Sequence, residues 1–234
     1  MFSHTLMKLQ TLFVVLCSCF CGLLTTQAAT DDYYFKRLSI EHGLSHATVN
    51  TILRDHRGRL WVGTALGLNA VDRGNIKRYF YPSVEQPSSQ VGAVMGLYEG
   101  RDHLLWALTN RGLYCYNAAD DVFSEKISRP ICAVSEVNAG LLFGGYSALY
   151  RWDYATHTLT RLPFLKQGLP KGDYLITFLQ QIDHNTLLVG TESNGIYTYS
   201  LRDSRLHPLI VKGEMVLSAM FWDRNRRELW CSLY

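Results

Sequence analysis

Several kinds of chemistry have no signature in this chain. No Gly-x-Ser-x-Gly turn and no phosphate-cradling glycine loop occurs, which removes the nucleophile elbow of the hydrolases and the common nucleotide sites. No segment beyond the N-terminus approaches the roughly 18 apolar residues of a membrane helix, so no span is expected once a leader is removed. No segment sustains a capped 3.6-residue apolar period, so almost no helix is expected. An excess of one charge is also missing. With 23 Lys and Arg against 20 Asp and Glu the net charge is +3, falling to +2 without Lys8, too little for a nucleic-acid footprint. Of the six cysteines, Cys17, Cys19 and Cys21 lie in the N-terminal apolar stretch. The other three, Cys115, Cys132 and Cys231, are widely spaced in apolar contexts and read as buried free thiols, neither a disulfide framework nor a metal site.

What the chain has in quantity is apolar and aromatic material, 47% and 12% of 234 residues, arranged in a repeat. A leucine followed by a second large apolar residue recurs at Leu60 and Trp61, Leu105 and Trp106, Leu141 and Leu142, Leu187 and Leu188, and Leu229 and Trp230. The second residues are spaced by 45, 36, 46 and 42 positions, the period of a propeller blade. After each pair comes a turn with glycine, Gly67, Gly112 or Gly195, where positive φ is expected. Before each lies an apolar run (49–53, 94–98, 131–134, 175–179, 216–221), set off by a polar turn, and behind each a more amphipathic run such as 76–81 or 159–164. Four antiparallel strands per unit follow, buried at the inner edge and polar at the outer. The expected fold is all-β: a β-propeller of four-stranded blades, about four and a half of them present, belonging to a seven-bladed ring. The structural signature is Trp61, Gly63, Gly67, Trp106, Gly112, Gly190, Gly195 and Trp230, with the three tryptophans expected at equivalent places between blades.

The N-terminus carries Lys8, an apolar run over 12–24, and small residues through Ala28 and Ala29. That is the pattern of a secretory signal over 1–29, leaving 30–234 as an incomplete propeller that is exported; a lipoprotein signal is the less favoured alternative.

The ordered set Gly43, Leu44, Ser45, Asp55, Gly58, Leu60, Trp61, Val62, Gly63, Thr64, Gly67, Leu68 and Asn69 resembles the opening of the two-component regulator propeller family. His42 departs from it, standing where members often have an acidic residue. The resemblance implies the periplasmic sensor region of a hybrid two-component histidine kinase, homodimeric and responsive to oligosaccharides, of which this chain would be an N-terminal fragment. It implies residues 34–38 as a closing outer strand.

Chemistry in the side chains is sparse. His42 and His46 are four apart in a loop, without the helix that would aim them at one metal. His56, His103 and His184 all fall in the turn before the signature strand and read as turn residues. Asp55 to Trp61 resembles the Asp-box of sialidases, itself a structural turn. Glu192, Asp173 and Glu214 are the plausible mouth carboxylates, with nothing that pairs them for glycoside hydrolysis. No catalytic residue, metal or cofactor is expected. The alternatives are a secreted propeller lyase or glycosidase, or a protein-interaction scaffold. Sugars favour aromatic faces beside planar polar groups, so the expected ligand residues are Asn110, Arg111, Tyr146, Tyr174, Glu192 and Asn194, on the turns at one mouth.

Overall fold

A computed structural model describes residues 35, 37–80, 92–163, 174–210 and 216–233. The expected signal 1–29, Asp173 and Glu214 lie outside them. Of the stretch 34–38, the described Phe35, Arg37 and Leu38 form no strand.

Residues from Leu38 onward form one compact unit of antiparallel sheets. The first is β1 (Val49–Arg54), β2 (Leu60–Thr64), β3 (Gly67–Asp72) and β4 (Asn75–Tyr79); the second is β5 (Val94–Glu99), β6 (Leu105–Thr109), β7 (Leu113–Asn117) and β8 (Val122–Ile127). The third is β9 (Ile131–Val137), β10 (Gly140–Gly145), β11 (Ala148–Asp153) and β12 (Thr158–Leu162). The fourth is β13 (Ile176–Gln181), β14 (Thr186–Thr191), β15 (Ile196–Ser200) and β16 (Leu206–Ile210), and β17 (Leu217–Asp223) pairs with β18 (Glu228–Leu233) in a two-stranded fifth. Strands in each sheet hydrogen-bond in chain order. This is the four-and-a-half-blade propeller array. A single 3-10 turn at Ile40–His42 is the helical structure among the described residues.

In the four complete blades burial is deepest in the second strand, not at the innermost edge. β6 and β10 are buried throughout, whereas β1 alternates between exposed and half-buried positions. The innermost strands face the axial space, so it is the second strand that lies sandwiched between neighbouring sheets.

The core is accordingly a series of layers between consecutive blades. Trp61, on β2, meets Tyr116 and Phe123 of the second sheet edge-on at 5.0 and 5.7 Å, and Trp106 meets Trp152 of the third at 5.0 Å. Both tryptophans are fully buried. Trp230 occupies the same register, opposite Phe221 as Trp61 is opposite Leu53, but is 58% exposed. Among the described residues no later sheet covers it, so its expected burial does not hold.

Two smaller expectations also change. Gly67 and Gly195 have φ of +97° and +96°, but Gly112 does not share the left-handed conformation. Its requirement is steric, since a Cβ there would sit 2.4 Å from the Ile127 carbonyl oxygen. Cys115 is buried, which pushes its thiol up to about 11, while Cys132 is half-buried and Cys231 exposed. Burial therefore fails as the reading of Cys231, on the uncovered fifth sheet.

Candidate functional site

The turns between second and third strands share one tie. The hydroxyl of the threonine that ends the second strand donates to the carbonyl of the following turn glycine: Thr64 to Gly67 at 2.9 Å, Thr109 to Gly112 at 2.9 Å, Thr191 to Gly195 at 2.7 Å. The same oxygens accept backbone N–H groups within the turn, from Leu66, from Arg111 and Gly112, and from Asn194. Buried hydroxyls used in this way fix the backbone and leave the intervening side chains free to vary. The third sheet has Gly145 in place of the threonine, and its turn is held by the Tyr146 and Leu175 bridge and by Ser147 N–H donating to the Tyr174 carbonyl at 2.8 Å.

The turns lie beside the starts of the innermost strands, as the bonds from Asn110 N–H to Ala93 and from Glu192 N–H to Leu175 record at 3.2 and 2.9 Å. On them Asn110, Arg111 and Glu192 are exposed, Tyr146 is 43% exposed, and Asn194 is half-buried. Asn110 and Arg111 lie over Gly92, where an added Cβ would be 2.7 Å from Asn110 Oδ1. Tyr174 is different. It is wholly buried, its ring edge-on to Tyr197 at 5.5 Å, and its N–H donates to Ser147 Oγ at 2.9 Å. Tyr174 braces the mouth, so the expectation of direct ligand contact fails for it.

At the opposite end of the blades, the first turn bears out its structural reading. Asp55 Oδ1 accepts the N–H groups of Arg57 and Arg59 at 3.0 and 2.9 Å, and Oδ2 accepts Trp61 Nε1 at 2.8 Å. Both of its oxygens are engaged in holding the turn and the strand that follows it. Among the described residues the side-chain hydrogen bonds of His42 and His46 are local, with Ser39 and with the Thr48 N–H at 3.0 Å. From sequence His56 and His103 read as repeated turn residues; the structure brings them together with Glu99, one donor atom of each within 4.8 Å of the others. Only the packing of blade against blade could reveal that, because the residues belong to different repeats. A groove of about 670 Å³ opens beside them, lined also by Asp102, Trp152 and His157.

A propeller of repeated blades with a variable, rigidly held mouth is a binding architecture. Residues 43–65 match the family model described as two component regulator propeller. Among solved structures it resembles the extracellular domain assigned to hybrid two component system BT3049 of B. thetaiotaomicron, with 26% identity and a TM-score of 0.64, over 84% of this chain and 29% of that one. The corresponding domain of BT4673 from the same organism gives 21% identity and a TM-score of 0.61, over 80% and 25%. The Pan2 WD40 domain of Neurospora crassa, at 15% identity and a TM-score of 0.50 over 74% and 52%, shows the shared propeller fold alone. This chain thus spans under a third of the length of the two receptor domains. None of the curated proteins matches it. Among the described residues no helix is long and apolar enough to cross a membrane.

Proposed function

We propose that this chain is ligand-sensing propeller from the periplasmic part of a hybrid two-component receptor, and that it binds a glycan-derived oligosaccharide without cleaving it. The observation that supports this best is the mouth itself: turns fixed by backbone-directed bonds carry unlike side chains, Asn110 and Arg111 on one and Glu192 and Asn194 on another, both tied by a threonine hydroxyl, and Tyr146 on a third, held by its bridge to Leu175. An aromatic face beside planar hydrogen-bonding groups suits a pyranose, which has one apolar face and a rim of hydroxyls. Export belongs to the same reading and is supported by the extracellular domains the chain resembles; homodimerisation is part of the proposal.

The test is a glycan panel assayed for both binding and cleavage on the complete periplasmic region, with Arg111→Ala and Tyr146→Ala. Binding that weakens at least about tenfold in either variant, equal to about 1.4 kcal/mol, with the fold intact, is expected. Cleavage that vanishes in Glu192→Gln or Asp173→Asn overturns the reading in favour of an enzyme.

A further inference from the structure

We propose that His56, Glu99 and His103 form a site for a divalent d-block cation of the zinc type, joining the first two blades at the end opposite the mouth. His56 stands in the turn between β1 and β2, Glu99 is the last residue of β5, and His103 lies in the turn between β5 and β6. Two imidazoles and one carboxylate are the protein ligands of open zinc centres, whose fourth position goes to water or an incoming ligand. Here the fourth position faces the groove of about 670 Å³ between the blades.

The arrangement is already close to what the ion requires. The donor atoms lie within 4.8 Å of one another. Zinc bonds of about 2.0 to 2.2 Å place neighbouring donors roughly 3.3 to 4 Å apart, a difference that rotation of the two exposed imidazoles covers without moving a strand. The rings already face each other, centroids 4.3 Å apart and planes 35° from parallel. Glu99 is preset: Oε2 accepts the His56 backbone N–H at 2.9 Å while Oε1 meets Nδ1 of the same residue. A carboxylate oriented by backbone in this way loses little freedom on taking a metal.

Turn chemistry does not account for the histidine at 103. Its φ is +60°, and the positions three residues before Trp61 and Trp230, Gly58 and Arg227, have φ of +82° and +56°. The turn asks for a left-handed residue, which glycine meets with least strain, and accepts a glycine, a histidine or an arginine. What distinguishes His103 is therefore what its ring meets. The opposing feature is Arg57, whose Nε approaches His56 Nε2 at 3.4 Å and whose charge repels an arriving cation.

The experiment is titration of the chelator-treated chain with Zn²⁺ alone, followed by calorimetry and thermal unfolding, all in a Cys231→Ser background to remove the exposed thiol. Co²⁺ in place of Zn²⁺ reports the ligand field by its visible absorption. One ion per chain and a raised Tm are expected, since the ion binds the native arrangement of two blades and not the unfolded chain. His103→Gly, which suits the left-handed turn and so keeps the fold, should abolish binding; Glu99→Gln should weaken it; and Arg57→Ser should tighten it. Folded protein that takes up no Zn²⁺, or takes it up unchanged in His103→Gly, overturns the proposal.

Discussion

The two buried tryptophans make the clearest contrast at the scale of single residues. Trp61 Nε1 donates to Asp55 at 2.8 Å, but Trp106 Nε1 is buried and has no hydrogen-bond partner among the described residues. The reason is a local substitution: counting back from the tryptophan, Gly100 stands where the first blade has Asp55, and Asp102 instead accepts Trp152 Nε1 of the next blade at 2.7 Å. An unpaired buried donor costs on the order of 1 to 3 kcal/mol. Trp61→Phe leaves Asp55 without its donor, whereas Trp106→Phe removes a group that had none. Trp61→Phe should therefore destabilise the protein more than Trp106→Phe by about 1 to 3 kcal/mol in urea unfolding. Equal losses would mean that the Trp61 hydrogen bond contributes nothing net.

Between elements, the tie most open to test is Asp121, in the turn between β7 and β8, which reaches across to the outer strand of the first blade. It forms an ion pair with Lys77 and accepts hydrogen bonds from the hydroxyls of Tyr79, at 2.6 Å, and Tyr116. Burial acts to raise the Asp121 carboxyl, but the bonds from Lys77, Tyr116 and Tyr79 outweigh it and hold the group well below the usual carboxylate range. A carboxyl depressed by folding stabilises the protein fully above its unfolded pKa of about 3.9 and loses that contribution as pH falls through the folded value. At 42% side-chain exposure solvent screening reduces the effect. Asp121→Asn should lower the unfolding midpoint at pH 7 and flatten its decline below about pH 4. A variant with the wild-type slope in acid would show that Asp121 is not responsible.

Element order, blade count and strand register were legible in the sequence because they rest on local signals: an apolar pair, a turn glycine and a polar turn recurring at blade spacing. Relations across blades were not. Gly63 faces Thr51 in the first blade, and an added Cβ would lie 2.5 Å from the Thr51 methyl and 2.7 Å from Val94 of the next blade. The second blade reverses the sizes, with Gly96 opposite Leu108, so the space is filled from the other strand. Read as a string, Leu108 looks like decay of the repeat; in the fold it is a volume-conserving exchange. The candidate mouth was legible as turn positions, but the burial of Tyr174 and the meeting of His56 with His103 depend on how one sheet lies on another.

At the scale of the whole unit, the array presents apolar side chains at both ends of the blade series. The first sheet exposes Ile52 at 63% and Val49 at 40%, while the fifth exposes Phe221 at 61% and Trp230 at 58%. Within the series each such face is covered by a neighbour, as Trp61 and Trp106 are. β18 also offers a free edge, paired only to β17 among the described residues. Exposed apolar faces together with an unpaired edge favour association with another sheet. This chain in isolation should therefore self-associate, with a mass by light scattering that rises with concentration, and Phe221→Glu with Trp230→Glu should shift it toward monomer. Substituting exposed Tyr146, away from either face, should leave the association unchanged. A wild-type chain that stays monomeric up to about 100 µM, within the micromolar-to-millimolar range in which exposed apolar surface and strand edges drive aggregation, would show that these faces are satisfied within one molecule, by residues outside those described or by rearrangement of the fifth sheet.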